Sequence, residues 1–215
     1  MNFGETIVTT KANNLVSVQH RVGREDRWVS NGHRGGVLWF TGLPGSGKST
    51  LATRLEQHLF NNGYQACMLD GDNVRQGLNK DLGFSADDRA ENIRRIGEVA
   101  ALFANAGMIV TTAFISPYRE DRDVARAAAG DDFHEVYILA DVETCEKRDP
   151  KGHYKKARSG EIPQFTGISA PYEEPESPEL VIDTMSHSID ECLDQLMDYV
   201  AKTFKPDIQA KTARK

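Results

Sequence analysis

A glycine-rich segment between an apolar run and a leucine-patterned run constrains the fold of this chain more than any other feature. The segment, Gly42-Leu-Pro-Gly-Ser-Gly-Lys-Ser-Thr50, fits the pattern G-x-x-x-x-G-K-[ST]. The apolar run Gly36–Thr41 before it predicts a buried strand, and leucines after it recur every four residues up to Gly63, which predicts a helix. In this order of elements, backbone N–H groups converge on phosphate oxygens and the helix N-terminus adds its positive end. The sequence therefore predicts a phosphate-binding loop, or P-loop, that holds a nucleoside triphosphate.

Two side chains of the P-loop have predicted chemical roles. Lys48 would reach the β- and γ-phosphates, and the Ser49 hydroxyl would join the ligand shell of Mg²⁺. GTPases also contain P-loops, but they need an N-K-x-D motif to read guanine, and the nearest segment, Asn79-Lys-Asp-Leu82, lacks the final aspartate. Motor and oligomeric ATPases are normally larger. A short chain of 215 residues with a long basic segment favours a kinase of a small molecule.

Four further apolar segments complete the predicted sheet. They are residues 65–70, 108–114, 135–141 and 180–182. Continuous apolar strands that alternate with helices predict a five-stranded parallel sheet covered by helices on both faces. We therefore expect one α/β domain over residues 35–204, between an N-terminal arm (1–34) and a basic C-terminal tail (205–215).

Two of the predicted helices have recognisable N-terminal caps. Ser85 begins a helix whose apolar face is expected to include Ile96 and Phe103. Ser188 and Glu191 form a capping box before the last helix, which is expected to bury Ile189 with its leucines.

Composition excludes several other classes of protein. The 26 basic and 32 acidic side chains give a net charge of −6, which argues against a general nucleic-acid binder. No run approaches the roughly 18 apolar residues of a membrane span, and no export signal is evident. The three cysteines are far apart, which predicts reduced thiols in a cytoplasmic protein. The histidines form no H-x-x-x-H pair, so a zinc site is not expected.

Polar and aromatic residues after the second predicted strand suggest a second site. Asp70 and Asp72 follow that strand, and ligands in open α/β sheets bind at the carboxyl ends of strands, so both carboxylates should face the P-loop. A carboxylate there could accept a hydroxyl proton or hold Mg²⁺ through water. Arg89 and Asn92 are expected on one exposed helix face, opposite the apolar stripe. Phe84, just before that helix, could stack on the ring of an anionic acceptor.

Residues 148–178 have no clear period, and a segment this long inside a compact domain is typical of a lid. At its start, six basic residues stand against one carboxylate, Asp149. They are Lys147, Arg148, Lys151, Lys155, Lys156 and Arg158. This charge asymmetry predicts a mobile clamp for an anion.

Together these segments resemble the adenylyl-sulfate kinase family. Family members phosphorylate the 3′-hydroxyl of adenosine 5′-phosphosulfate (APS) with ATP. The matching segments, which cover about residues 20–200, are Asn31-Gly-His33, Trp39-Phe-Thr-Gly42, the P-loop, residues 69–82, Gly83-Phe-Ser85, Arg89-x-Glu91-Asn92-x-Arg94-Arg95, Phe114-Ile-Ser-Pro-Tyr-Arg119, Arg148-Asp-Pro-Lys-Gly152, Tyr154-Lys-Lys-Ala-Arg158, Phe165-Thr-Gly-Ile168 and Pro171-Tyr-Glu173.

The resemblance implies a P-loop kinase fold, a homodimer, ATP and Mg²⁺ as cofactors, and APS as the substrate. The ATP site would be Gly42, Gly45, Ser46, Gly47, Lys48, Ser49, Thr50 and Arg148, with Ser49 on the metal. The substrate site would be Asp70, Asp72, Asn73, Val74, Arg75, Phe84, Arg89, Asn92, Ile115, Ser116, Lys151, Gln164 and Phe165. Phe84 and Phe165 would sandwich the adenine, while Arg75 and Arg89 would meet the phosphosulfate. The catalytic residues would be Lys48, Asp72 and Ser116.

The chain departs from the family pattern at three places. Pro44 stands where the family has serine, His153 replaces a lid leucine, and Gln164 replaces a common glycine. None of these changes removes a group that the chemistry needs. Three alternatives stay open: a kinase of another nucleotide or sugar, a non-catalytic nucleotide sensor, and transfer through a phosphoserine at Ser116. Direct transfer is favoured, because no histidine or carboxylate lies next to Ser116 before Glu120.

Overall fold

A computed structural model describes residues 21–205 of the chain. Most of the predicted N-terminal arm and nearly all of the predicted tail lie outside these residues. Within the arm, a helix, α1 (Arg24–Asn31), ends at Gly32. Its contacts with the rest of the molecule include a hydrogen bond from Asn31 Nδ2 to Gly107 O at 2.9 Å and an ion pair between Arg24 and Asp132.

The five parallel strands that the sequence predicts form one sheet, and their order in it is β2-β3-β1-β4-β5. The strands are β1 (Gly36–Thr41), β2 (Ala66–Asp70), β3 (Ile109–Ala113), β4 (Phe133–Leu139) and β5 (Leu180–Asp183). β4 lies two residues earlier than predicted, because Asp141 caps the following helix and does not extend the strand.

Helices cover both faces of the sheet and leave β1 fully buried at its centre. The remaining helices are α2 (Lys48–Asn61), α3 (Gly71–Gln76), α4 (Ala86–Asn105), α5 (Arg119–Ala129), α6 (Val142–Arg148), α7 (His153–Arg158) and α8 (Ile189–Thr203). Leu38 and Phe40 pack on the α2 and α8 side, while Val37 and Trp39 pack against α4. Successive residues of β1 thus pack against helices on opposite faces of the sheet.

Two apolar residues lie elsewhere than predicted. Phe103 is 37% exposed, although it follows the buried Ile96 by seven residues and at 3.6 residues per turn lies only about 20° from it around α4. Ala100, Ala101 and Ala104 occupy the buried face instead. Ile189, the first residue of α8, is also exposed.

Both predicted helix caps are present, and the lid contains a helix. Ser188 and Glu191 make the complete predicted capping box, and the Ser85 side chain accepts from Asp88 N at the start of α4. The basic segment is not a continuous loop, because α7 lies within it. No helix in residues 21–205 is long and apolar enough to cross a membrane.

Candidate active site

The P-loop connects β1 to α2 and has the backbone geometry of a phosphate cradle. Gly42, Gly45 and Gly47 have φ angles of 151°, 79° and 107°. A Cβ at Gly42 would lie 2.6 Å from Ile138 O, and one at Gly45 would lie 3.0 Å from Cys145 O. The loop therefore needs glycine both for its torsion angles and for its close approach to the neighbouring backbone.

Lys48 lies buried in the cradle at the first position of α2. Its ammonium donates to Gly42 O at 2.9 Å, to Leu43 O at 2.7 Å and to Ser46 Oγ at 3.3 Å. Burial lowers the pKa of this ammonium to about 7, since carbonyl dipoles replace water without supplying a full negative charge. A phosphate group in the cradle would supply that charge.

The P-loop is supported from behind by Thr184, directly after β5. Thr184 Oγ1 donates to Ser46 O at 3.0 Å, and Arg148 donates to Thr184 O at 2.6 Å. Arg148 also approaches Ser46 O at 3.4 Å, which places it beside the predicted nucleotide site. Thr184 was not among the predicted site residues. Its position at the carboxyl end of a strand was the one sequence signal that could have indicated it.

Two hard oxygen donors meet next to the cradle. Ser49 Oγ lies 3.3 Å from Asp70 Oδ2, while Asp70 Oδ1 accepts from Asp72 N at 2.9 Å. The position of Asp70 after a strand predicted that it would face the P-loop, and the family resemblance placed it with the substrate; in the structure its carboxylate lies beside Ser49 of the P-loop. A hydroxyl and a carboxylate suit Mg²⁺, which is typically bound by one or two carboxylates together with substrate phosphates. The described residues contain no group of three or more His, Cys, Asp and Glu side chains that could hold a metal ion, so phosphate and water would complete the shell.

Asp72 faces the lid from the first turn of α3. Its Oδ2 accepts from Lys151 Nζ at 2.7 Å, and this hydrogen bond raises the pKa of Lys151 above its ordinary value. Both side chains are exposed. Asn73 and Val74 follow in the same helix.

An arginine pair lies at the other end of α3. Arg75 donates to Gly83 O at 2.9 Å, and its guanidinium lies 4.5 Å from the centroid of the Phe84 ring. Burial, and then the positive charge of Arg89, lower the pKa of Arg75. Arg89 donates to Phe84 O at 3.0 Å and to Gln164 O at 3.3 Å. Two guanidiniums in one electrostatic environment attract an anion.

The two predicted stacking rings have different surroundings. Phe84 is 70% exposed, whereas Phe165 is buried edge-on against Tyr154, with ring centroids 5.0 Å apart. Arg89 links the carbonyl groups of Phe84 and Gln164, so it brings both ring-bearing segments to one place. Gln164 has a φ of 54°, a left-handed conformation in which glycine is favoured.

Asn92 does not share an exposed face with Arg89 as predicted. It is buried, and its Oδ1 accepts from Asn79 Nδ2 at 3.0 Å. Asn79 lies between α3 and α4 and covers this part of the helix, a contact that helical spacing alone could not reveal.

Ile115 and Ser116 lie in the loop after β3, called here the acceptor loop (residues 114–118). Ser116 is buried and has a φ of 39°, and its Oγ accepts from Trp39 Nε1 at 3.1 Å. Thr41 Oγ1 donates to Ile115 O at 2.8 Å. An indole N–H cannot serve as a base for Ser116.

Three of the six basic residues at the start of the lid form ion pairs with carboxylates of the described residues. Lys147 binds Glu143, Arg158 binds Glu146, and Lys151 binds Asp72. Asp149 caps α7 by accepting from Tyr154 N and Lys155 N, both at 3.1 Å. Carboxylates of α6 thus already engage two of the six predicted clamp residues, and the anion clamp stays a prediction.

Known proteins match this chain over most of its length. A family model described as adenylylsulphate kinase matches residues 34–183. The chain is 63% identical over 171 residues to the adenylyl-sulfate kinase of Bacillus licheniformis, and the aligned region covers 79% of this chain and 87% of the relative. It is 57% identical over 192 residues to that of Staphylococcus epidermidis, covering 89% and 96%.

A solved structure agrees with these sequence matches. The APS kinase of Mycobacterium tuberculosis in complex with AMPPNP and APS is 50% identical to this chain. It superposes with a TM-score of 0.73, over 77% of this chain and 96% of that one.

Proposed function

The chain belongs to the adenylylsulphate kinase family, and from that membership and its site geometry we propose that it transfers the γ-phosphoryl group of Mg·ATP to the 3′-hydroxyl of APS. The products are 3′-phosphoadenylyl sulfate and ADP. The enzyme would thereby serve sulfate activation.

One observation carries the proposal: the six-residue helix α3 joins two sites of different chemistry. Its N-cap, Asp70, contacts Ser49 of the P-loop, and its Arg75 lies against Phe84 in the arginine and aromatic cluster. Between them Asp72 is exposed toward the lid. A phosphoryl donor in the cradle and a ring-bearing anionic acceptor at the cluster would therefore meet at Asp72.

On the nucleotide side, the P-loop backbone would hold the phosphates of ATP. Lys48 would exchange its carbonyl contacts for phosphate oxygens, and Ser49 with Asp70 would hold Mg²⁺. Arg148 would lie beside the nucleotide through its contacts with Ser46 and Thr184. When bound, Mg²⁺ supplies charge neutralisation at the β- and γ-phosphates.

On the acceptor side, we assign the adenine ring to Phe84 and Phe165 and the phosphosulfate to Arg75 and Arg89. Asp72 would orient the 3′-hydroxyl and accept its proton. The remaining contacts of the acceptor would come from Asn73, Val74, Asn92, Ile115, Ser116, Lys151 and Gln164. Catalysis would then consist mainly of positioning and charge stabilisation.

Ser116 is assigned as a substrate contact, and the transfer as direct. A serine nucleophile needs an adjacent base. Its hydroxyl is buried and accepts from the Trp39 indole, while its carbonyl accepts from Arg122. These surroundings favour a fixed hydroxyl over a phosphorylated one.

A coupled assay of ADP release tests the proposal. ATP hydrolysis should be slow without APS and should increase strongly with it, and product analysis should place the new phosphate at the 3′ position. Stimulation by a different nucleotide or sugar, but not by APS, would identify another kinase. Binding of all ligands without turnover would identify a sensor.

We further propose a homodimer and a cytoplasmic location. The resemblance implies the homodimer, which light scattering on the purified chain would test. Cys145 and Cys192 are buried free thiols, and burial raises the pKa of both, as suits a reducing compartment. Cell fractionation would test the location.

A further inference from the structure

Arg122 of α5 makes three connections that the reaction described above does not use. Its side chain is 3% exposed. Nε donates to Glu135 Oε1 of β4 at 2.6 Å, and the two terminal nitrogens donate to Ser116 O at 2.7 Å and Glu173 O at 2.8 Å. One guanidinium thus joins the sheet, the acceptor loop and the C-terminal end of the lid.

The first consequence concerns the backbone of Ser116. With a φ of 39°, this residue occupies the left-handed region that L-residues rarely adopt. Such a conformation persists only where the surroundings hold it. Arg122 holds the carbonyl of Ser116, and Trp39 holds its hydroxyl.

The second consequence concerns the lid. Glu173 N donates to Pro117 O, and Glu173 Oε2 accepts from Arg119 N, both at 2.8 Å. The neighbouring Tyr172 hydroxyl lies 3.0 Å from Thr41 Oγ1, at the end of the strand that leads into the P-loop. The end of the lid is therefore attached both to the acceptor loop and to β1.

The charge of Arg122 is balanced inside the protein. Glu135 is buried beside it, so the guanidinium needs no ligand for compensation. Each of its two terminal nitrogens donates to one of the two backbone carbonyls. A planar guanidinium can serve three acceptors at fixed angles, whereas a lysine ammonium on a flexible stem cannot reproduce that geometry.

We propose that Arg122 is a positioning residue that sets the acceptor loop and the end of the lid relative to the P-loop, and so determines acceptor affinity and turnover without touching either substrate. The proposal rests on the proposed function in taking APS as the acceptor. It predicts a defect that is specific to the acceptor.

Arg126 provides a matched control on the same helix. It pairs with Glu179 at 2.7 Å and with Glu135 at 3.5 Å, and packs over the Phe133 ring at 4.7 Å. Its hydrogen bonds within residues 21–205 go to Phe133 and Glu179, and none goes to the acceptor loop or to Glu173. Arg126→Met therefore removes a guanidinium from the same ion network without disturbing either segment.

The experiment compares Arg122→Lys, Arg122→Met and Arg126→Met by kinetics, calorimetric APS and ATP binding, and thermal unfolding. We expect Arg122→Lys to fold, to raise KM for APS and lower kcat by about tenfold each, and to leave ATP affinity within about twofold. Arg126→Met should keep both KM values and kcat within about twofold of the parent.

Three results would overturn the proposal: parental kinetics in Arg122→Lys, equal weakening of APS and ATP, or an unfolded Arg122→Lys. Should Arg122→Met fail to fold, Arg122→Lys decides alone. Calorimetry separates this inference from the proposed function. If the parent protein fails to bind APS, the proposed function is wrong. If the parent binds APS and Arg122→Lys binds it equally tightly, only the inference about Arg122 is wrong.

Discussion

The Lys151 ammonium lies 2.7 Å from a carboxylate oxygen of Asp72, so an ion pair joins the lid to the first turn of α3. Both side chains are well exposed, and pairs of this kind contribute about 0–1 kcal/mol to stability. The pair therefore contributes little to the stability of the fold, and its importance lies in the proposed substrate site. A substrate bound in that site would either separate Lys151 from Asp72 or contact both side chains.

Asp72 and Ser116 should differ sharply on substitution. We expect Asp72→Ala to lose nearly all turnover, because the 3′-hydroxyl loses its orienting carboxylate, and Ser116→Ala to keep substantial turnover. Steady-state kinetics measure both, and a chiral γ-phosphate should be transferred with inversion. Retention of configuration together with an inactive Ser116→Ala enzyme would establish the phosphoserine route.

Lys48→Ala should lower turnover by about 10²–10³-fold, the usual cost of losing one electrostatic contact to the transition state. Lys80→Ala is the control, since Lys80 is an exposed lysine outside the P-loop. Near-normal activity of Lys48→Ala would contradict the P-loop assignment.

ATP binding should be linked to proton uptake at Lys48. Its pKa is about 7 in the ligand-free protein, so at pH 8 most molecules hold it neutral, and phosphate oxygens would favour the ammonium. Binding at pH 8 should take up close to one proton, and affinity should fall above pH 7 by up to about tenfold per pH unit.

Calorimetry in two buffers of different ionisation enthalpy measures that uptake, and Lys48→Met should abolish it. The same shift affects folding. Between pH 7 and the ordinary value of 10.5 the unfolded chain binds more protons at this position, so the contribution of Lys48 to stability rises with pH in that window. An ATP affinity that is independent of pH from 7 to 9 would contradict the linkage.

Phe84→Ala should weaken APS binding by about 1–3 kcal/mol, the usual value of one stacking face, and should leave ATP binding nearly unchanged. Phe165→Ala should show the same preference, with an added loss of stability because that ring is buried. Phe60→Ala is the matched control, since its ring is 74% exposed at the far end of α2. Equal weakening of both ligands would mean that the rings have been assigned to the wrong site.

Gln164→Gly should leave the free energy of unfolding within about 1 kcal/mol of the parent. Glycine removes the strain of the left-handed backbone, but it also gives the unfolded chain more conformational entropy, and the two effects oppose each other. Gln164→Val should be less stable than Gln164→Gly, since a β-branched side chain suits a φ of 54° poorly. Chemical denaturation gives both free energies of unfolding, and a more stable valine variant would contradict this explanation.

The local patterns of the sequence were sufficient for the five strands, three of the helices and the nucleotide cradle. The P-loop, the five strands and the capping box at Ser188 each depend on residues within a short span, so spacing and residue type predict them. Asp70 shows the limit of this reasoning. Its place after a strand indicated a site near the P-loop, but only the structure shows that its carboxylate contacts the Ser49 hydroxyl.

By itself, the sequence determined the fold class, the P-loop and the family resemblance, because hydrophobic period, glycine placement and motif order are written along the chain. Only the tertiary structure decided which distant groups meet. Asn92 is buried because Asn79 covers it, Arg158 of the lid is paired because α6 presents Glu146 to it, and Arg122 joins three segments. Such contacts depend on how the crossovers arrange the strands, and no local spacing encodes that arrangement.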